Sequence, residues 1–169
     1  MKHSSIRQLL YLFLGFIFLV TTNSSIVCDC WATKNFLEVA PKTKMIALVK
    51  IKKYLTFKKI SSGRMPISMQ AEIIEVYNGI EARKTITVWG DNGALCRPYL
   101  TKFKKDELFV IAFYNAGETK KEKKTDYQIS VCGTYWLKVK SEGEEKYAIG
   151  NIGDNLSQIK LEELKEKLK

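Results

Sequence analysis

Apolar residues fall along this chain in short runs with a two-residue period, separated by turns rich in glycine and serine. Residues 44–57 (KMIALVKIKKYLTF) mix apolar and lysine positions in partial alternation and predict a long strand. Ser61-Ser62-Gly63-Arg64 supplies turn chemistry, and residues 67–77 (ISMQAEIIEVY) predict a second strand whose alternation slips around Ile73-Ile74, the mark of a bulge. Asn78-Gly79 ends it. Residues 85–88 predict a short third strand. Residues 107–114 (ELFVIAFY) are apolar on both parities, so they predict a strand buried on both faces. Residues 127–136 (YQISVCGTYW) predict a fifth.

Five antiparallel strands joined by loops of uneven length predict an all-β fold, a small closed barrel for which the five-stranded OB barrel is the natural candidate. The ends differ in character. A short helical turn is predicted at 35–40, stopped by Pro41. At the other end, 141–145 is polar and 150–153 is glycine-bearing. After Asn155 a helical pattern begins, with Leu161, Leu164 and Leu168 on one face. The chain therefore divides into residues 1–25, a barrel domain over 26–138, and a polar linker with a C-terminal amphipathic helix over 139–169.

Residues 1–25 have the form of a cleaved secretory signal: Lys2 and Arg7, an apolar run over 9–20, then TTNSS. That run is shorter than the ~18–20 residues that span a bilayer, and no later run is long and apolar enough to do so. The expected location is secreted, extracellular or cell-envelope. Ser25-Ile26-Val27 lacks the residues of the usual lipobox, which argues against lipid anchoring at Cys28.

Removing 1–25 leaves about 144 of the 169 residues, enough for one domain. The net charge falls from +10 to +8, because Lys2 and Arg7 leave and no acid does. That balance suits a polyanion or an anionic surface as partner, although lysines spread along a chain are also what an ordinary solvated face carries. The one histidine, His3, lies in the first segment, so the remainder has none. This removes Ser-His-Asp and Cys-His catalysis and His-ligated zinc. Without a nucleophile-elbow, Walker or dinucleotide-binding signature, the chain is expected to be no enzyme and to need no cofactor. Tyr54, Phe57, Tyr77 and Trp89 could offer stacking platforms for single-stranded nucleic acid, but export argues against that partner.

The remaining chemistry is in four cysteines. Cys28 and Cys30 form a C-x-C pair just after the signal, and Cys96 and Cys132 follow singly. An even set in an exported chain points to disulfides, with three possible connectivities. A zinc site of all four is the alternative, with a C-x-C tighter than the usual spacing.

The order C-D-C, a strand ending V-Y-N-G, a cysteine after G-D-N-G-A-L-C, then F-V-I-A and C-G-T-Y-W resembles the netrin-like domain family, and within it the tissue inhibitors of metalloproteinases. The likeness runs from Cys28 to about Trp136. It implies an OB barrel and the pairing Cys28–Cys96 and Cys30–Cys132. It also implies inhibition of a zinc metalloendopeptidase by the mature N-terminus. Cys28 would ligate the enzyme's zinc through its α-amine and carbonyl oxygen, Asp29 would enter the specificity pocket beside Cys30, and residues from Asn92 through Cys96 to Arg97 would flank the wedge. The alternative within the family is a non-inhibitory extracellular module that binds a protein or a polyanion.

Overall fold

A computed structural model describes Cys28, Cys30 and residues 34–169. The predicted signal, 1–25, lies outside the described residues, as does Asp29. After a short helix α1 (Phe36–Val39) and a 3-10 turn (Ala40–Lys42), the chain forms β1 (Met45–Ile60), β2 (Gly63–Asn78), β3 (Thr85–Trp89), β4 (Leu108–Asn115), β5 (Tyr127–Gln128), β6 (Trp136–Glu142), β7 (Glu145–Gly153), β8 (Leu156–Lys160) and helix α2 (Leu161–Lys167).

Strands β1, β2, β3, β5 and β4 follow one another in the sheet, and β4 returns to pair with β1 over Met45–Lys50, so five strands close a barrel. All pairings in that ring are antiparallel except β3 with β5. This is the Greek-key closure of the OB barrel that the strand count predicted. Closure explains why β1 at 45–49 and β4 at 109–113 are buried on both faces: one face fills the barrel and the other is covered by the flanking elements. The predicted bulge is present. Leu48 pairs with Glu75 and Val49 with Ile73, which leaves Ile74 extruded and half exposed.

Two expectations need correction. Residues 127–136 are not one strand. The chain pairs with β4 at Tyr127 and Gln128, leaves it over 129–135, and rejoins it at Trp136 as β6. The excursion carries Cys132 outward to its disulfide partner, which a continuous ladder would prevent. Nor are residues 139–160 a polar linker. β6, β7 and β8 form an antiparallel meander that extends the sheet from β4. Its polarity comes from one-sided burial: Val139, Ala148, Ile152 and Ile159 face the core while Lys138, Lys140 and Lys146 face solvent.

The N-terminal turn forms as predicted, whereas the C-terminal helix begins at Leu161 and not after Asn155, because 156–160 pair with β7 as strand β8. Asn35 caps α1 by accepting from the Glu38 N–H, and Glu38 returns the bond to the Asn35 N–H. Pro41 follows in the 3-10 turn, where the α-helix has already stopped. Leu161 and Leu164 on α2, and Leu168 at its C-cap, are all buried. The helix is anchored where Asn78 Nδ2 donates to the Leu168 carbonyl at 3.0 Å and Lys165 pairs with Glu75.

Candidate functional site

Both disulfides follow the pairing that the resemblance implied: Cys28 to Cys96, with Cα atoms 5.5 Å apart, and Cys30 to Cys132, at 4.9 Å. All four sulfurs are therefore committed, and the zinc alternative has no thiolates left to use. Among the described residues no group of His, Cys, Asp or Glu is placed to hold a metal ion. The two bridges pin the C-x-C against two loops at one end of the barrel, 90–99 and 129–135. Those loops are joined to each other where the Val131 N–H donates to the Cys96 carbonyl at 3.2 Å. Cys30 is exposed and Cys28 half-buried, with the Cys30 N–H donating to the Cys28 carbonyl at 3.0 Å. The edge thus stands at the surface on a support that is covalent at two points.

The loop after β3 is shaped from within. Buried Asp91 accepts through one carboxylate oxygen from the N–H groups of Gly93, Ala94 and Leu95, at 2.9, 3.1 and 2.9 Å. This local closure is what aspartate offers a turn. It needs Gly93 at φ +92°, and Gly90 is required for a different reason: a Cβ there would lie 2.5 Å from the Leu100 side chain. Asn92 is half-buried, and its carbonyl accepts from Lys58 Nζ at 2.7 Å.

Arg97 does not serve as a partner contact. Its side chain is 2% exposed and points inward, where the guanidinium donates to both carboxylate oxygens of Glu122 at 2.8 and 3.0 Å. Glu118 adds a second carboxylate at 3.3 Å. Burial alone would raise the Glu122 pKa. The Arg97 guanidinium, the Gly117 N–H and the Thr119 hydroxyl outweigh burial and hold it at about 2. The pair ties the Cys96 loop to the loop over 116–126. Among its lysines Glu122 reads in sequence as a surface charge, yet its side chain is 1% exposed. Sequence reasoning missed it for that reason. Asp91 had a better signal, in the spacing G-D-N-G.

The structure therefore brings Cys28, Cys30 and Cys96 together at one edge, turns Arg97 into its internal brace, places Asn92 in the same loop but in contact with Lys58, and leaves Asp29 outside the described residues. The proposed stacking platform does not form. Tyr77 and Trp89 are buried, and the Tyr54 hydroxyl donates to the Phe103 carbonyl at 2.9 Å, so of the four rings only Phe57 is substantially exposed. Trp89 Nε1 donates to buried Asp126 at 2.9 Å.

Fold and edge together define a disulfide-stapled OB-barrel protein. No protein-family model and no curated protein sequence matches the chain.

Proposed function

We propose that the chain is an exported netrin-like protein of the metalloproteinase-inhibitor type. It places its Cys28–Cys30 edge in the active site of an extracellular zinc metalloendopeptidase and does no chemistry of its own. The observation that carries this reading is the pair of bridges, Cys28–Cys96 and Cys30–Cys132, which fasten both cysteines of the C-x-C to the barrel loops. Disulfides persist in oxidising compartments, which fits export, and no helix among the described residues is long and apolar enough to cross a membrane.

The mechanism follows from the N-terminal amine. An α-amino group titrates at about 8, so at neutral pH its unprotonated fraction offers a lone pair to zinc, and binding releases the proton from the rest. With the Cys28 carbonyl it would displace the water that the enzyme must activate. A ligand held rigid by two bridges loses little further freedom on binding. Two features modulate the activity. Signal cleavage after Ser24 or Ser25 leaves residues ahead of Cys28 and turns its amine into an amide, so inhibition requires trimming to Cys28. Asp29 adds a carboxylate that an apolar pocket disfavours by several kcal/mol unless it is paired.

A second reading is a non-inhibitory module for a protein or polyanion. It is favoured by a cleft of about 490 Å³ in which Lys58 and Lys59 face Lys120 and Lys121. N-terminal mass measurement of the secreted protein, followed by titration against a zinc metalloendopeptidase, separates the two. Inhibition that tracks the fraction of molecules beginning at Cys28 supports the inhibitor. Absence of inhibition from a pure Cys28-starting form, with Asp29 replaced by Thr, leaves the second reading.

A further inference from the structure

The β1–β2 hairpin reaches beyond the barrel. β1 pairs with β4 only as far as Lys50, and β2 pairs with β3 only from Ser68 to Glu72. The ribbon beyond them, 57–60 paired with 63–66, is therefore a two-stranded tip, roughly 13 Å long at about 3.3 Å per residue. Residues 57–64 are all exposed.

Two properties of the hairpin belong together. The first is charge. From Glu38 to Glu72 the chain holds eight basic residues and no acidic one between. Lys50 and Lys52 are neutralised by Asp106 and Glu72, whereas Lys53, Lys58, Lys59 and Arg64 have no carboxylate partner among the described residues. Lys120 and Lys121 add to the same field across the cleft. The second property is apolar exposure. Leu55, Phe57 and Ile60 are 39%, 38% and 38% exposed. Strand alternation puts Phe57 and Lys59 on one face and Lys58 and Ile60 on the other, so both faces of the tip carry an apolar side chain beside a cation. Arg64 lies over the Phe57 ring at 4.8 Å, and Tyr99, also exposed, shares a second hollow with Ile60.

We infer that this hairpin tip is a docking element for an anionic lipid surface, joined to the Cys96 loop where Lys58 donates to the Asn92 carbonyl. Cations supply attraction to the headgroups, and the apolar side chains enter the boundary region that the headgroups cover. A soluble polyanion would satisfy the lysines but give Leu55, Phe57 and Ile60 nothing to bury against. Lysines on an open strand edge also keep it from pairing with other chains. That role calls for no exposed phenylalanine or isoleucine beside them.

The test is sedimentation of the full exported chain with vesicles. The expected result is binding to phosphatidylcholine vesicles containing about one third phosphatidylglycerol and none to phosphatidylcholine alone. K58Q/K59Q should lower the partition roughly 30-fold, at about five-fold per lysine. F57S/I60S should remove the binding that survives high salt, where charge attraction is screened. Both pairs are exposed, and thermal melting verifies that each variant is folded. In F57W, tryptophan emission should shift to the blue on anionic vesicles and stay fixed with dextran sulfate. Binding unchanged by F57S/I60S, with dextran sulfate bound equally well, would overturn the proposal in favour of a polyanion site. No binding to anionic vesicles would reduce the lysines to edge protection.

Discussion

Arg97 and Glu122 meet through two parallel hydrogen bonds, with both side chains almost wholly buried, one residue along from the disulfide at Cys96. A buried pair of this kind is costly to break, because the surviving charge is left without a counter-ion. Arg97 Nε has no hydrogen-bond partner among the described residues, so the guanidinium depends on the carboxylate all the more. Arg97→Ala or Glu122→Gln should therefore destabilise the protein by about 3–5 kcal/mol in urea unfolding. The double variant R97M/E122L should recover most of that loss, since neither charge remains. Equal instability of the double variant would mean that the pair contributes shape rather than charge balance.

The same carboxylate sets the acid limit. Glu122 is held at about 2 in the fold, against an ordinary value of 4.5. Glu81 is also held at about 2, first by its hydrogen bonds from Arg83, against the opposing effect of burial, with help from the Tyr127 hydroxyl. A depressed carboxylate stabilises the fold fully above its unfolded value and loses that contribution as pH falls through the folded one. Stability measured by denaturant titration should be level from pH 7 to about 5 and fall steeply between about 4.5 and 2, with Glu122 accounting for up to about 3 kcal/mol. E122Q should flatten much of that fall. An unchanged profile in E122Q would remove Glu122 as its source.

With every cysteine bridged, thiol labelling of the denatured, unreduced protein should detect no free thiol. The bridges close separations of 68 and 102 residues. Loop-closure entropy gives each about 4–5 kcal/mol, without additivity. Cys96→Ser should free Cys28 and Cys132→Ser should free Cys30. Limited proteolysis should then cut the N-terminal segment of either variant while the barrel stays protected. Unaltered proteolysis and melting would show that the bridges do not hold the edge.

Asp91 organises the loop beside the edge through its three backbone contacts, without touching the edge itself. Asp91→Asn keeps an oxygen for the same N–H groups and should cost little. Asp91→Ala should weaken inhibition while leaving most of the barrel's hydrogen-exchange protection intact. Equal behaviour of the two variants would mean that the loop is held by its disulfide alone.

The barrel was legible in sequence because β1, β2 and β4 carry dense alternating or continuous apolar runs, and closure is the arrangement that buries 45–49 and 109–113 on both faces. Where side-chain pattern and covalent demand conflicted, the pattern misled. Residues 129–135 read as strand because Ile129, Val131 and Tyr135 are strand formers, but Cys132 must leave the ladder to reach Cys30. The β6–β8 meander was hidden by its polarity, since each of its strands spends one face on lysine and glutamate. The pairing of the C-x-C edge was legible only through the resemblance, because the cysteines by themselves left three connectivities open. Arg97 was not, because an arginine beside a cysteine looks the same in sequence whether its partner lies outside the molecule or, like Glu122, 25 residues further along within it.

The proposed inhibitory role of the C-x-C edge is tested most directly at the Cys28 amine. A form produced to begin at Cys28, with Asp29→Thr, should inhibit a zinc metalloendopeptidase, and acetylating its α-amine should abolish the inhibition while both disulfides and the melting temperature stay unchanged, because an amide offers zinc no lone pair. Inhibition that survives acetylation, or that never appears in the free-amine form, would contradict the assignment of Cys28 as the zinc-facing residue.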